Sequence, residues 1–212
     1  MPGAVVRSAA IVVAGCLLAA CDPAASDAPA PARFASVRKE ATDRAAATFC
    51  EKQWPAAPSP DARPYRGLPE RPLPGGATVA VAEGAGWRWV NLWATWCLPC
   101  VEEMRLLARW HRSLAQDGIG LDLEFWSVDE DPAALTDYLQ VNPLPGRARW
   151  LRSPDDLPAA LAALGADPTA GVPVHALIDR AGSLRCLRVG AVHDEDYGAV
   201  KTLLSPPVTA LR

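Results

Sequence analysis

The chain has 212 residues, 50% of them hydrophobic and 21% charged, with a formal net charge of −3. This fits one globular domain of ordinary size plus extra segments. No basic patch stands out, which argues against nucleic acid as a partner. Eight tryptophans and 21 prolines are many for this length.

In chain order, the first feature is a leader. Arg7 gives a weak positive flank, and Ala9 to Ala20, "AAIVVAGCLLAA", is an almost unbroken apolar run. The run is too short for a transmembrane helix, which needs about 20 residues, and suits the core of a secretory signal over residues 1–20. It ends in "LAAC", Leu18 to Cys21. That tetrad resembles the bacterial lipobox, which implies that Cys21 is lipidated and becomes the mature N-terminus. The plainer reading is an ordinary signal cut nearby, with Cys21 a bystander. A lipid anchor would tether the protein to a membrane of the bacterial cell envelope, facing the periplasm or the exterior. Disulfides persist in that compartment. With Cys16 lost in the leader and Cys21 carrying lipid, four of the six cysteines remain: Cys50, Cys97, Cys100 and Cys186.

Residues 21–36 carry the lipidated end and a tether of Ala, Pro, Asp and Ser without apolar period. Residues 37–53 have the composition of a helix. Seven prolines within 55–74 then exclude helix and predict an extended wrap over a domain surface. Residues 37–74 thus form an N-terminal helix and proline-rich extension, and residues 75–212 the main domain. There, "ATVAVA" (77–82) and "WRWVNLW" (87–93) read as strands, the second a central one. Cys97 to Leu114 reads as a helix, with Val101, Met104, Leu107, Ala108 and Leu114 on one side. A strand at 121–129, a helix from Asp131-Pro132 to Val141, a short strand within 147–153 and a helix at 155–164 follow. Strands at 174–179 and 184–190 are joined by a turn at Gly182, and a helix at 194–204 closes the chain. Alternating strands and helices with a terminal hairpin predict an α/β fold, a mixed central sheet with helices on both faces.

The chemistry is concentrated in "VNLWATWCLPC", Val90 to Cys100. Cysteines three apart lie on one side of a helical turn, so their sulfurs can meet. Cys97 stands at the helix N-terminus, where unsatisfied N–H groups and the helix dipole favour a thiolate. Cys100 lies one turn deeper. Cys97 is therefore the attacking sulfur and Cys100 the resolving one. Pro99 limits the backbone between them and is tolerated in a first helical turn.

"NLWATWCLPC" resembles the active-site segment of the thioredoxin superfamily. It is most similar to the TlpA/ResA-like branch of exported, membrane-anchored thiol–disulfide oxidoreductases. The branch continues "EMP" after the pair, whereas this chain has "VEEMR", with Arg105 for the proline. "SVDEDPAALTDYLQ" (127–140) and "GVPVHALIDRAGSLRCLRVG" (171–190) extend the likeness over residues 75–206. The resemblance implies the thioredoxin fold and a redox-active Cys97–Cys100 disulfide. It further implies a cis Pro173 facing the pair, with Val172 and Trp96 taking part in substrate docking. Read alone, Pro173 is a trans proline ending a loop. The resemblance also makes Glu103, three residues after Cys100, the proton acceptor for Cys100. Without it, Glu103 is a surface glutamate stabilised by the helix dipole. Where thioredoxin itself has a buried aspartate, this chain has Asn91, which cannot act as a base. By the same likeness the enzyme is a reductase of exported protein disulfides, serving cytochrome c maturation or copper-site assembly. A membrane dithiol donor would supply its electrons; a monomer is expected, and no cofactor.

Cys50 and Cys186 are either a structural disulfide pinning the extension to the domain or two buried free thiols. His111, His175 and His193 are scattered. His175 lies two residues from Pro173, but packing outweighs catalysis as its reading. A metal role competes with the enzyme reading, either a four-cysteine zinc site or a copper-carrying lipoprotein of the same fold. The isolated positions of Cys50 and Cys186 argue against zinc, so no metal is assigned. A redox-dead docking lipoprotein is the third class.

Overall fold

The structure is a computed structural model describing residues 32–74 and 86–205. The leader, Cys21 and the strand expected at 77–82 lie outside these residues. Helix α1 spans Ala32–Phe49. It starts earlier than the expected boundary at residue 37, because Ala-Arg-Phe-Ala-Ser after Pro31 holds no residue that stops a helix. The proline-rich arm that follows is extended but not structureless. It forms three two-residue strands, β1 (Lys52–Gln53), β2 (Arg63–Pro64) and β3 (Glu70–Arg71).

The remaining elements are β4 (Trp87–Trp93), α2 (Leu98–Gln116), β5 (Leu121–Ser127), α3 (Pro132–Val141) and β6 (Arg147–Leu151). They continue with α4 (Leu157–Leu164), β7 (Val174–Ile178), β8 (Ser183–Val189) and α5 (Tyr197–Leu204). Helices α4 and α5 are each entered through a 3₁₀ turn, at Pro154–Asp156 and Asp194–Asp196. The helices expected at 155–164 and 194–204 are thus each part 3₁₀. No helix among the described residues is long and apolar enough to cross a membrane.

The strands form one sheet in the order β1-β8-β7-β4-β5-β6-β3, with β2 also on β8. Strand β4 is central. It pairs in parallel with β5 and antiparallel with β7, so the sheet is mixed. Every side chain from Trp89 to Trp93 is buried, which requires cover on both faces of the strand. The crossovers β4–α2–β5 and β5–α3–β6 advance in the same direction across the sheet. Right-handed connections therefore put α2 and α3 on one face. Ring contacts agree: Trp93 meets Tyr138 of α3, and Trp89 meets Trp110 of α2, which meets Tyr197 of α5. Cys50, just after α1, is bonded to Cys186 of β8 with Cα atoms 5.4 Å apart. This bond fastens the end of α1 to the sheet.

Candidate active site

Strand β4 delivers the chain to the site. After Trp93, the N–H of Cys97 closes a turn on Ala94 O at 3.1 Å, and helix α2 begins at Leu98 with Cys97 as its N-cap. The turn is held from the next strand. The Asp129 carboxylate is buried and accepts the Thr95 N–H at 3.1 Å, the Thr95 hydroxyl at 2.6 Å and the Ser127 hydroxyl at 2.7 Å. The carbonyl of Asp129 accepts from Trp150 Nε1 and Arg71 Nη2.

Cys97 and Cys100 are joined as a disulfide with Cα atoms 5.3 Å apart. Cys97 keeps 5% of its surface exposed and Cys100 none. Beside them, Trp96 and Leu98 project into solvent at 69% and 65% exposure. Opposite, the Val172–Pro173 peptide is cis, and Val172 O lies 3.6 Å from Cys97 Sγ. The carbonyl of Pro173 is occupied by the Gly190 N–H at 2.9 Å. A cleft of about 690 Å³ runs from this peptide along α2, lined by Pro99, Glu102, Glu103, Val172, Pro173 and Val192.

Glu103 is not a surface residue. It is buried at the inner wall of the cleft while Glu102 stays exposed. Its Oε1 accepts from Asn91 Nδ2 at 2.9 Å, and its Oε2 accepts from the Val192 N–H at 2.9 Å. His175 Nε2 stands 3.3 Å from the same Oε2. On the other side of the ring, His175 Nδ1 receives Trp89 Nε1 at 3.1 Å and faces Asn91 Nδ2 at 3.1 Å. Asn91 and His175 are directly opposed across the β4–β7 pair.

The fold thus gathers Trp96, Cys97, Cys100, Val172 and Pro173 at one end of β4 and β7, with Glu103 in the adjoining cleft. Cys50 and Cys186 belong to the β8 side of the sheet. His193 is exposed at the cleft, and His111 contacts Leu121 O at 2.8 Å. Sequence reasoning missed the contact of His175 with Glu103 and the anchoring by Asp129. The available signal for the first was a single polar residue inside the apolar strand "VHALI". Its partner depends on strand register, which the sequence does not state.

No family model and no curated protein matches this chain. Solved structures do. A thiol-disulfide isomerase from Corynebacterium glutamicum aligns over 68% of this chain and 97% of its own at 19% identity, with a TM-score of 0.50. A thioredoxin-related protein from Neisseria meningitidis serogroup B covers 58% of this chain and 87% of its own at 22% identity, with a TM-score of 0.48. The thioredoxin domain of a thiol-disulfide oxidoreductase from Bacteroides vulgatus covers 57% and 81% at 17% identity, with a TM-score of 0.47. The chain has the thioredoxin fold.

Proposed function

We propose that this chain is a protein thiol–disulfide oxidoreductase that works through Cys97 and Cys100. One observation carries the reading. Two bonded cysteines sit at a helix N-terminus against a cis-proline peptide, the outer sulfur at a rim of exposed apolar side chains.

In the reducing direction, the Cys97 thiolate attacks one sulfur of a substrate disulfide. The substrate S–S bond breaks, one substrate sulfur leaves as thiolate, and Cys97 is held in a mixed disulfide. The helix terminus stabilises the Cys97 thiolate before attack and lowers its cost as leaving group later. Cys100 then gives its proton to the Glu103 carboxylate and attacks Cys97 Sγ. The Cys97–Cys100 bond forms, and the second substrate sulfur departs and is protonated. Two electrons have passed to the substrate, and a dithiol donor must return the pair to its reduced form. During the mixed-disulfide stage the substrate backbone lies along Val172, as an added strand, with Trp96 flanking it.

The further reading is an exported reductase, held by lipid on Cys21 in the bacterial cell envelope. Its substrates are disulfides of exported proteins, such as those handled in cytochrome c maturation, and its electrons come from a membrane dithiol donor. The apolar run ending at Cys21 and the branch likeness support it. Dithiothreitol-dependent reduction of insulin tests the activity. Catalysis that survives Cys97→Ser, or a copper ion purifying with the two sulfurs, would overturn the reading.

A further inference from the structure

The buried polar group behind the cysteine pair consists of Asn91, Glu103 and His175, with the Trp89 indole at its back. Its hydrogen bonds fix the proton positions. Asn91 has two amide hydrogens, and they have two acceptors, Glu103 Oε1 and His175 Nδ1. The reverse amide orientation would set Asn91 Oδ1 against the carboxylate, acceptor against acceptor. Two N–H groups, from Trp89 and Asn91, therefore aim at His175 Nδ1, which must hold its lone pair toward them. A neutral imidazole then carries its hydrogen on Nε2. That nitrogen is buried and has no hydrogen-bond partner of standard geometry; Glu103 Oε2 lies 3.3 Å away.

We propose that His175 is a positioning residue for Glu103. Its neutral ring donates Nε2–H to the carboxylate and holds it, as an acceptor, where it takes the Cys100 proton. The proposal rests on the oxidoreductase reading above. Glu103 receives N–H groups from Asn91 and Val192 at hydrogen-bond distance, and His175 Nε2, 3.3 Å from Oε2, is placed to supply a third. His175 itself does not take the proton onward. A second ring proton would have to go to Nδ1, where two donors already point. The balance is therefore local. The Cys100 S–H bond breaks, and its proton becomes a Glu103 O–H. The freed thiolate forms the S–S bond to Cys97, and the displaced substrate sulfur carries away the electron pair. The Glu103 proton leaves through the cleft, to that sulfur or to water. Of the other ionisable groups, Glu102, His193 and Asp194 line the same cleft as Glu103, His175 of β7 stands behind it, and Cys100 lies one turn earlier on its helix.

The test uses the full-length protein carrying Cys16→Ala and Cys21→Ala, with the Cys97–Cys100 pair reduced and the Cys50–Cys186 bond intact, and Ellman's reagent in a stopped-flow instrument. The first release of thionitrobenzoate reports Cys97 attack; the second reports displacement by Cys100. His175→Leu should leave the first phase within about twofold and slow the second about tenfold at pH 7. His175→Gln, which keeps a donor at similar reach, should recover most of the rate. In a Glu103→Gln background, adding His175→Leu should change nothing further. Equal slowing in that background, or an unaffected second phase in His175→Leu, overturns the proposal. Nitrogen-15 NMR of His175 in the unmutated protein supplies a reading that needs no variant to fold. The Nε2–H tautomer is expected, and a proton on Nδ1 overturns the proposal. Loss of both phases with His175 and Glu103 unchanged would instead sink the oxidoreductase reading, with the tautomer still deciding the His175–Glu103 contact.

Discussion

Thr95 gives both its amide N–H and its hydroxyl to the carboxylate of Asp129. That carboxylate is buried and also accepts from Ser127. Thr95 is two residues before Cys97, so the position of the Cys97 sulfur is tied to a side chain just beyond the end of β5. Asp129→Ala leaves the Ser127 and Thr95 donors without acceptor and should cost about 3 kcal/mol. Thermal unfolding should fall by roughly 6–12 °C. In the reduced variant, Cys97 alkylation by iodoacetamide should change as well, since the turn that sets Cys97 on the helix end has lost its tie. An unchanged melting temperature would show that the turn holds without Asp129.

The two sulfurs should fail in different ways. Cys97→Ser removes the attacking group and should abolish insulin reduction. Cys100→Ser keeps that group but cannot resolve the intermediate. It should accumulate a covalent complex with a disulfide substrate, visible by non-reducing electrophoresis and dissolved by dithiothreitol. If Cys100→Ser turns over normally, the resolving role is wrong.

Replacing Glu103, the proposed proton acceptor, by Gln removes that capacity while nearly preserving the side-chain volume. Resolution of a mixed disulfide at pH 7 should slow about 100-fold. Alkylation of Cys97 should be nearly unaffected, because the helix terminus, not Glu103, stabilises that thiolate. Parallel losses in both measurements would point to a general disturbance of α2.

The Cys50–Cys186 bond spans 136 positions of sequence. Cross-links closing long loops remove much freedom from the unfolded chain, so the Cys50→Ser/Cys186→Ser double variant should lose about 2–5 kcal/mol. The melting temperature should fall by roughly 10 °C, measured with the Cys97–Cys100 pair oxidised in both proteins. Insulin reduction below the transition should persist, since this bond lies away from the pair.

Much of the scaffold was legible because it is written locally. The short aromatic and apolar run from Trp87 to Trp93, and the three-residue steps from Val101 to Met104 to Leu107 with Leu114 seven further on, report one strand and one helix face without knowledge of anything distant. Asp131-Pro132 marked a helix start for the same reason, and the structure shows Asp131 capping Ala133. The Cys97–Cys100 spacing likewise placed both sulfurs on one helical turn. What local pattern does not hold is which strands lie side by side and how they are aligned. The opposition of Asn91 and His175 is a matter of β4–β7 register across 84 positions, and it decides that Glu103 has a ring at its back. The proline-rich arm was read as extended, but its partners are backbone groups far away in sequence, which no side-chain pattern announces.

That arm has a consequence for how the molecule behaves among its own copies. Its paired dipeptides occupy the outer side of β8 and the outer side of β6, the margins where the sheet would otherwise end. Bare margins recruit other chains, and Pro64, which has no N–H to offer, sits in one of these covering strands. A protein trimmed of residues 52–71 would keep its cysteines and still be prone to stack sheet against sheet into aggregates. The stretch that carries no cysteine is the one that covers both margins of the sheet.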